Sequence, residues 1–248
     1  VAADGVQCLR PQWPAPAGVH AAFTLRHGGV SAGSFASLNL GTHVGDAPAA
    51  VAANRARVRA ALALPAEPCW LEQVHGTHVV EAGDRAGQAP VTADASVSRV
   101  PGIVAAVQVA DCLPVLLAAR DGTVAAAHAG WRGLVAGVLE ATVARMGVPP
   151  RQTVAWLGPA ISAAHFEVGA EVRSAFLAHD ASAVAAFVPN ARGRWQCDLT
   201  LLARQRLAQA GIEAVSGGSW CTYADPGQFF SFRRDGQCGR MAALIWRD

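Results

Sequence analysis

Cys112 and His128 are separated by two short apolar runs, PVLLAA and TVAAAH, joined by Arg120-Asp121-Gly122. An Asp-Gly between such runs signals a hairpin. If residues near 119 and 123 face each other, His128 falls opposite about position 114, close to Cys112 along the ladder. A thiol and an imidazole at one end of one hairpin support two chemistries. The imidazole can activate a thiolate nucleophile, as in cysteine hydrolases. Alternatively, both side chains can ligate a soft-to-borderline metal together with a third residue. His75, beside Gly76, is the candidate third ligand. A Cys-His-His set leaves a tetrahedral Zn²⁺ one position open for water or substrate, the pattern of a catalytic site. Asp111 is then the candidate general base or ligand-orienting carboxylate. The plain alternative stays open beside these, because a buried cysteine is usually an inert core residue and a lone histidine a satisfied hydrogen-bonder.

The elements that must position these residues can be read from apolar spacing. Val19 to Leu25 reads as a strand, followed by a glycine-paired turn at Arg26-His27-Gly28-Gly29. Asp46 and Pro48 read as the N-cap and first turn of a helix to about Leu64. Val51, Val58 and Leu62 mark its apolar face, leaving Arg55, Arg57 and Arg59 toward water. His75 and His78 are three apart, but Gly76, Thr77, Val79 and Val80 favour turn and strand, so only one histidine should point at a site. Asp94 to Val97 and Ile103 to Val109 read as strands. A helix begins at about Trp131, buries Leu134, Val135, Val138, Leu139 and Met146, and ends at Gly147 and Pro149. Its start lies just beyond His128, where unpaired N–H groups and Arg132 would suit an oxyanion. Trp156 ends a short strand before a bend at Gly158-Pro159. Asp198 caps a helix through Ala210, and Phe229 to Phe232 and Met241 to Trp246 read as strands.

Composition excludes several functions. The 248 residues, 52% hydrophobic and 15% charged, supply a sizeable core, and the expectation is one domain over residues 1–248. A net charge of +2, with no basic run, lacks the footprint of a nucleic-acid binder. No apolar run approaches a membrane span, and the amino terminus lacks signal-peptide order, so a cytoplasmic protein is expected. The six cysteines include no Cys-x-x-Cys, so neither a zinc knuckle nor a thioredoxin-type pair is available. The chain contains no lysine, which removes Schiff-base chemistry and a P-loop lysine together. Any anionic group must be held by arginine, histidine or backbone N–H.

The segments LEQVHGTHVV, VADCLPVLLAA and AAHAGWRGL resemble the three signature segments of the YfiH-type laccase-domain family, also called multicopper polyphenol oxidase-like proteins. The likeness extends through RHGGVSAGSFASLNLGTHVGD, GPAIS, FEVG, Asp198-Leu199 and FFSFRRDGQCGR, with Cys238 standing where the family more often has threonine. The resemblance implies an α+β fold: a single domain with a mixed β-sandwich flanked by helices, as also found in some cysteine-hydrolase-like proteins. It implies zinc bound by His75, Cys112 and His128, with copper as a substitute. It implies phosphorolysis of adenosine, inosine, guanosine and methylthioadenosine, with adenosine deamination as a second activity, so the partners are a nucleoside and phosphate. A metal-activated water suits attack at C6 of adenine. Asp111 is the catalytic candidate, and Arg26, Gln73 and Arg132 are the substrate-binding candidates. Two alternatives use the same residues: a zinc or cysteine amidohydrolase editing a peptidoglycan precursor, and a laccase-like copper oxidase in a single His₂Cys site. A four-copper oxidase needs more histidines than the eight present, and no His-x-His pair occurs.

Overall fold

Alternation along the strands assigns each buried side chain to one of three apolar layers. The computed structural model describes residues 5–83 and 89–248, so the first four residues of the amino-terminal stretch read above lie outside it. The chain runs β1 (Cys8–Leu9), β2 (Val19–Thr24), α1 (Pro48–Ala61), β3 (Leu71–Glu72), β4 (Val79–Glu81), β5 (Val91–Thr92), β6 (Ala95–Ser98), β7 (Ala105–Val109), β8 (Leu113–Ala119) and β9 (Val124–Ala129). It continues with α2 (Trp131–Ala136), α3 (Val138–Met146), β10 (Thr153–Leu157), β11 (Glu167–Val168), α4 (Ala170–His179), β12 (Phe187–Pro189), β13 (Trp195–Cys197), α5 (Leu199–Gln209), β14 (Val215–Gly217), α6 (Phe232–Asp235) and β15 (Met241–Arg247).

One sheet has the order β1-β2-β15-β7, and a larger one the order β14-β10-β8-β9-β6-β4. The larger sheet is mixed, because β10 pairs with β14 and β4 with β6 in parallel while β8 and β9 pair antiparallel. Phe23, Val107 and Ile245 of the first sheet share a buried cluster with Leu116, Ala126 and Trp156 of the second. Side chains of opposite parity, Leu113, Val115 and Leu117, instead pack with Leu139, Val172 and Leu202 of the helices. The outer face of the first sheet, through Ala22, Ala106 and Leu244, is covered by Val58 and Leu62 from α1 and the turn after it. The result is a mixed β-sandwich with helices outside both sheets, the α+β class expected. Among the described residues no helix is long and apolar enough to cross a membrane.

Four local readings need correction. The helix expected from Trp131 to Met146 is two helices, because Gly137 adopts φ 101° and ends α2. Phe229 to Ser231 form no strand; Ser231 instead caps α6, its side chain accepting from the Arg234 N–H. Asp46 does not cap α1, whose N-cap is Ala47; its carboxylate accepts from Ser31 Oγ at 2.6 Å and Asn39 Nδ2 at 2.9 Å. Arg55 is not a solvated side chain: it donates to the Leu40 carbonyl and stacks on Trp70 at 4.1 Å, and burial pulls its pKa down to about 10. The cap at Asp198 is as expected, with its side chain accepting from the Leu201 N–H at 2.8 Å.

Leu116 is fully buried between the two sheets, so Leu116→Ala leaves a cavity and should lower unfolding free energy by about 2–5 kcal/mol. Urea denaturation measures the loss. Metal content at saturation should stay unchanged, because the candidate ligands sit at the end of the sheet and not between the layers.

Candidate metal centre

The β8–β9 hairpin has the register read from its turn, with Pro114 opposite His128. Cys112 immediately precedes β8, and Asp111 before it takes φ 94°. His75 comes from elsewhere, the loop between β3 and β4, where it adopts φ 61°. That loop is wrapped around one buried carboxylate. Asp94 accepts from the N–H groups of Val74 at 3.2 Å, His75 at 2.9 Å and Gly76 at 2.6 Å. The same carboxylate receives His128 Nδ1 at 2.8 Å. Asp94 therefore fixes both histidines, one through its backbone and one through its ring. With Nδ1 occupied, His128 offers Nε2 as its free ligand atom. His78 points away, its Nδ1 lying 3.0 Å from the Thr92 carbonyl.

Cys112 Sγ lies 3.7 Å from His75 Nε2, and one ligand atom from each of His75, Cys112 and His128 lies within 4.8 Å of the others. Among the described residues this is the one such convergence of histidine, cysteine and carboxylate groups. Burial alone would raise the Cys112 pKa, but the neighbouring His128 charge and hydrogen bonds from both imidazoles outweigh it and favour thiolate. His128 moves the opposite way: burial is overcome by Cys112 and by the hydrogen bond to Asp94, raising its pKa. Asp94 is held below the usual carboxylate range, its burial offset by the His128 hydrogen bond and the loop N–H groups.

Thiolate sulfur with two imidazole nitrogens suits zinc and neighbouring borderline metals. The space between them is reserved by Gly130, where a Cβ would lie 2.6 Å from His75 Cδ2 and 3.0 Å from Cys112 Sγ. The residues fit a metal ion.

A cavity of about 430 Å³ opens beside the triad, within the range of small-ligand sites. Arg132, Arg233 and Arg240 line it with His43, and Asp111 is the one carboxylate among its lining residues. Each arginine lies over an aromatic ring of the same wall: Arg132 over Trp131 at 4.4 Å, Arg233 over Phe166 at 5.1 Å and Arg240 over Phe232 at 5.7 Å. Burial, then the Arg240 and Arg55 charges, lowers the His43 pKa and favours the neutral ring.

The structure brings Gln73 and Arg132 to the cavity wall. The Gln73 amide is clasped by β7, donating to the Gln108 carbonyl at 2.8 Å and accepting from its N–H at 2.7 Å. Arg26 is not among the lining residues: its guanidinium donates to the Ala36 and Pro226 carbonyls and covers Phe230 at 4.6 Å. Asp111 lies beside Cys112, but its oxygens accept from Thr222 Oγ1 at 2.6 Å, Ser231 Oγ at 3.0 Å and the Arg233 N–H at 2.6 Å. Sequence reasoning missed Asp94 and Gly130, and Arg233 and Arg240 were visible only inside the FFSFRRDGQCGR segment.

Residues 20–248 match the family model described as multi-copper polyphenol oxidoreductase laccase. The chain is similar to the purine nucleoside phosphorylase YfiH of Escherichia coli K12, 54% identical over 237 residues that cover 95% of this chain and 97% of the relative. It is also similar to the purine nucleoside phosphorylase PA4543 of Pseudomonas aeruginosa, 53% identical over 240 residues, 96% of this chain and 97% of the relative. The crystal structure of Neisseria meningitidis protein NMB0706 superposes with TM-score 0.93 at 50% identity, covering 97% of this chain and 99% of that one. That of YlmD from Geobacillus stearothermophilus gives 0.89 at 31% identity, covering 100% and 97%.

Replacing Asp94 by Asn removes the charge that orients His128 and gathers the loop. Zinc affinity, measured by competition with a chromophoric chelator, should fall by about 10–100-fold. Gly130→Ala should cost at least as much while circular dichroism stays native. Wild-type affinity in either variant would contradict the assignment.

Proposed function

Because this chain belongs to the multi-copper polyphenol oxidoreductase laccase family, we propose that it is a purine nucleoside phosphorylase, one domain over residues 1–248, with a single metal ion, zinc in the native protein, on His75, Cys112 and His128. Its relatives of about half-identical sequence are named purine nucleoside phosphorylases, which supports an enzyme acting on a small molecule. The observation that carries the reading is the cavity: three arginines and aromatic walls meet beside the metal triad in a space sized for a nucleoside. One three-residue metal group among the described residues argues against chemistry that needs several coppers.

Phosphorolysis forms a bond from phosphate oxygen to C1′ of the ribose as the bond from C1′ to the purine nitrogen breaks. Arg132, Arg233 and Arg240 are the groups to hold phosphate: each guanidinium lies over a ring, and although Arg233 Nη1 donates to the Glu167 carbonyl and Arg240 Nη1 to the Cys238 and Gly239 carbonyls, their other N–H groups remain to meet an oxyanion. Trp131, Phe166 and Phe232 offer flat apolar surface to the base. Neutral His43 is suited to exchange a hydrogen bond with the ribose or the departing base without adding charge. Asp111, with three donors already bound, acts as a positioning residue: it ties Cys112 to Thr222, Ser231 and the Arg233 backbone. When bound, the ion supplies Lewis-acid polarisation in the cavity. A three-residue donor set leaves a tetrahedral ion an open position, which favours adenosine deamination as the second reading.

Zinc-loaded protein incubated with adenosine or inosine should release adenine or hypoxanthine only when phosphate is present, with ribose 1-phosphate as the coproduct. Inosine formed from adenosine would support the deaminase activity. Cys112→Ala should lose both metal and turnover. Arg233→Ala should raise the KM for phosphate by about tenfold or more, whereas Arg26→Ala should leave that KM unchanged and lower thermal stability instead. Base release independent of phosphate, or no product from fully metallated protein, would overturn the reading and favour an amidohydrolase.

A further inference from the structure

Among the described residues no disulfide joins any of the six cysteines, and the metal centre uses one. Cys69, Cys197 and Cys238 are closed off by burial, at 0%, 0% and 1% exposure. Cys8 is half-buried, and desolvation pushes its pKa up to about 11. Cys221 differs from all of these. It is half-buried, so a small reagent can reach it, and other chemistry-bearing groups converge on its sulfur. His165 Nδ1 lies 3.5 Å from Sγ. Ser162 donates to the same sulfur twice, from Oγ at 3.0 Å and from its backbone N–H at 3.4 Å. The His165 ring is itself fixed by stacking on Tyr223, with centroids 4.6 Å apart and planes 21° from parallel. A nucleophile within reach of a base, and a base oriented by a third group, is the arrangement that marks an activated thiol.

The backbone holds the cluster together. Ala160 and Cys221 form a parallel bridge, and the Thr222 N–H donates to the Ala160 carbonyl at 3.0 Å, fixing the Ser162 and Cys221 segments side by side. Cys221 is not among the residues lining the cavity, so neither the metal ion nor the phosphorolysis described above uses it.

We propose that Cys221, with His165 as its base and Ser162 as its hydrogen-bond donor, is a second reactive centre that exchanges with low-molecular-weight disulfides. His165 Nδ1 takes the thiol proton, and the Cys221 sulfur attacks one sulfur of the disulfide. The disulfide bond breaks, a mixed disulfide forms on Cys221, and the departing thiolate recovers the proton from His165 as a free thiol. No net oxidant is consumed beyond the disulfide itself. The two Ser162 donors stabilise the sulfur anion before attack.

The test uses zinc-loaded protein and limiting 4,4′-dithiodipyridine, with release of the thiopyridone followed by absorbance and the modified cysteine identified by peptide mass spectrometry. Cys221 should be the first thiol modified. His165→Gln should slow that step about tenfold, with zinc content and melting temperature unchanged. Ser162→Ala, which keeps the backbone donor, should slow it less and serves as the decisive variant if His165→Gln fails to fold. Modification of Cys8 or Cys112 ahead of Cys221, or wild-type rates in the folded variants, would overturn the proposal.

Discussion

One buried carboxylate, that of Asp94, organises the metal centre. It lies at 0% exposure and collects three loop N–H groups and one imidazole. An ionised carboxylate in that position would be costly without partners, and these four donors offset its desolvation. The consequence reaches both histidines. His75 sits at φ 61°, a conformation that a non-glycine residue holds only when its surroundings fix it, and the Asp94 contacts to its own N–H and its neighbours' supply that constraint. His128 is fixed through Nδ1, which leaves the other ring nitrogen toward Cys112.

The sandwich supplies the frame in which one carboxylate can do this. Asp94 stands at the head of β6, which pairs with β9, and the His128 N–H donates to the Asp94 carbonyl at 2.7 Å. The neighbouring strand β8 begins just after Cys112. Ligands from one hairpin and from a loop distant from it in sequence thus meet at one end of a sheet whose central strands β8 and β9 are buried along their length. A second buried carboxylate, Asp111, ties the same end to the carboxyl-terminal segment through Thr222, Ser231 and Arg233. That segment also carries Arg233 and Arg240 to the cavity. Hydrogen bonds from Asp111, next to Cys112, therefore connect the metal triad to the segment that carries Arg233 and Arg240.

Much of this was legible in the residues. The Asp-Gly turn and its flanking apolar runs give the hairpin register, and with it the Cys112–His128 pairing, because period-two alternation and a two-sided turn leave one alignment. His75 could be named as a third ligand, but the residue that orients it could not: Asp94 is a single carboxylate before a strand, with no spacing that relates it to positions 75 and 128. Asp111 attracted the role instead because it adjoins Cys112 in sequence, and adjacency in a strongly turned backbone says little about where a side chain points. Arg26 entered as a substrate-binding candidate through the family resemblance, and in the fold its guanidinium donates to the carbonyls of residues 36 and 226, contacts that arise only in the folded chain. The break at Gly137 followed the same logic, since one glycine inside an apolar 3.6-residue pattern marks either a tolerated residue or a helix end.

X-ray absorption at the zinc edge of the purified protein tests the central claim most directly. The account predicts one sulfur scatterer at about 2.3 Å and two imidazole nitrogens at about 2.0–2.1 Å, with a light atom completing the shell. A zinc shell without sulfur, or with more than one sulfur, would contradict a site built from His75, Cys112 and His128.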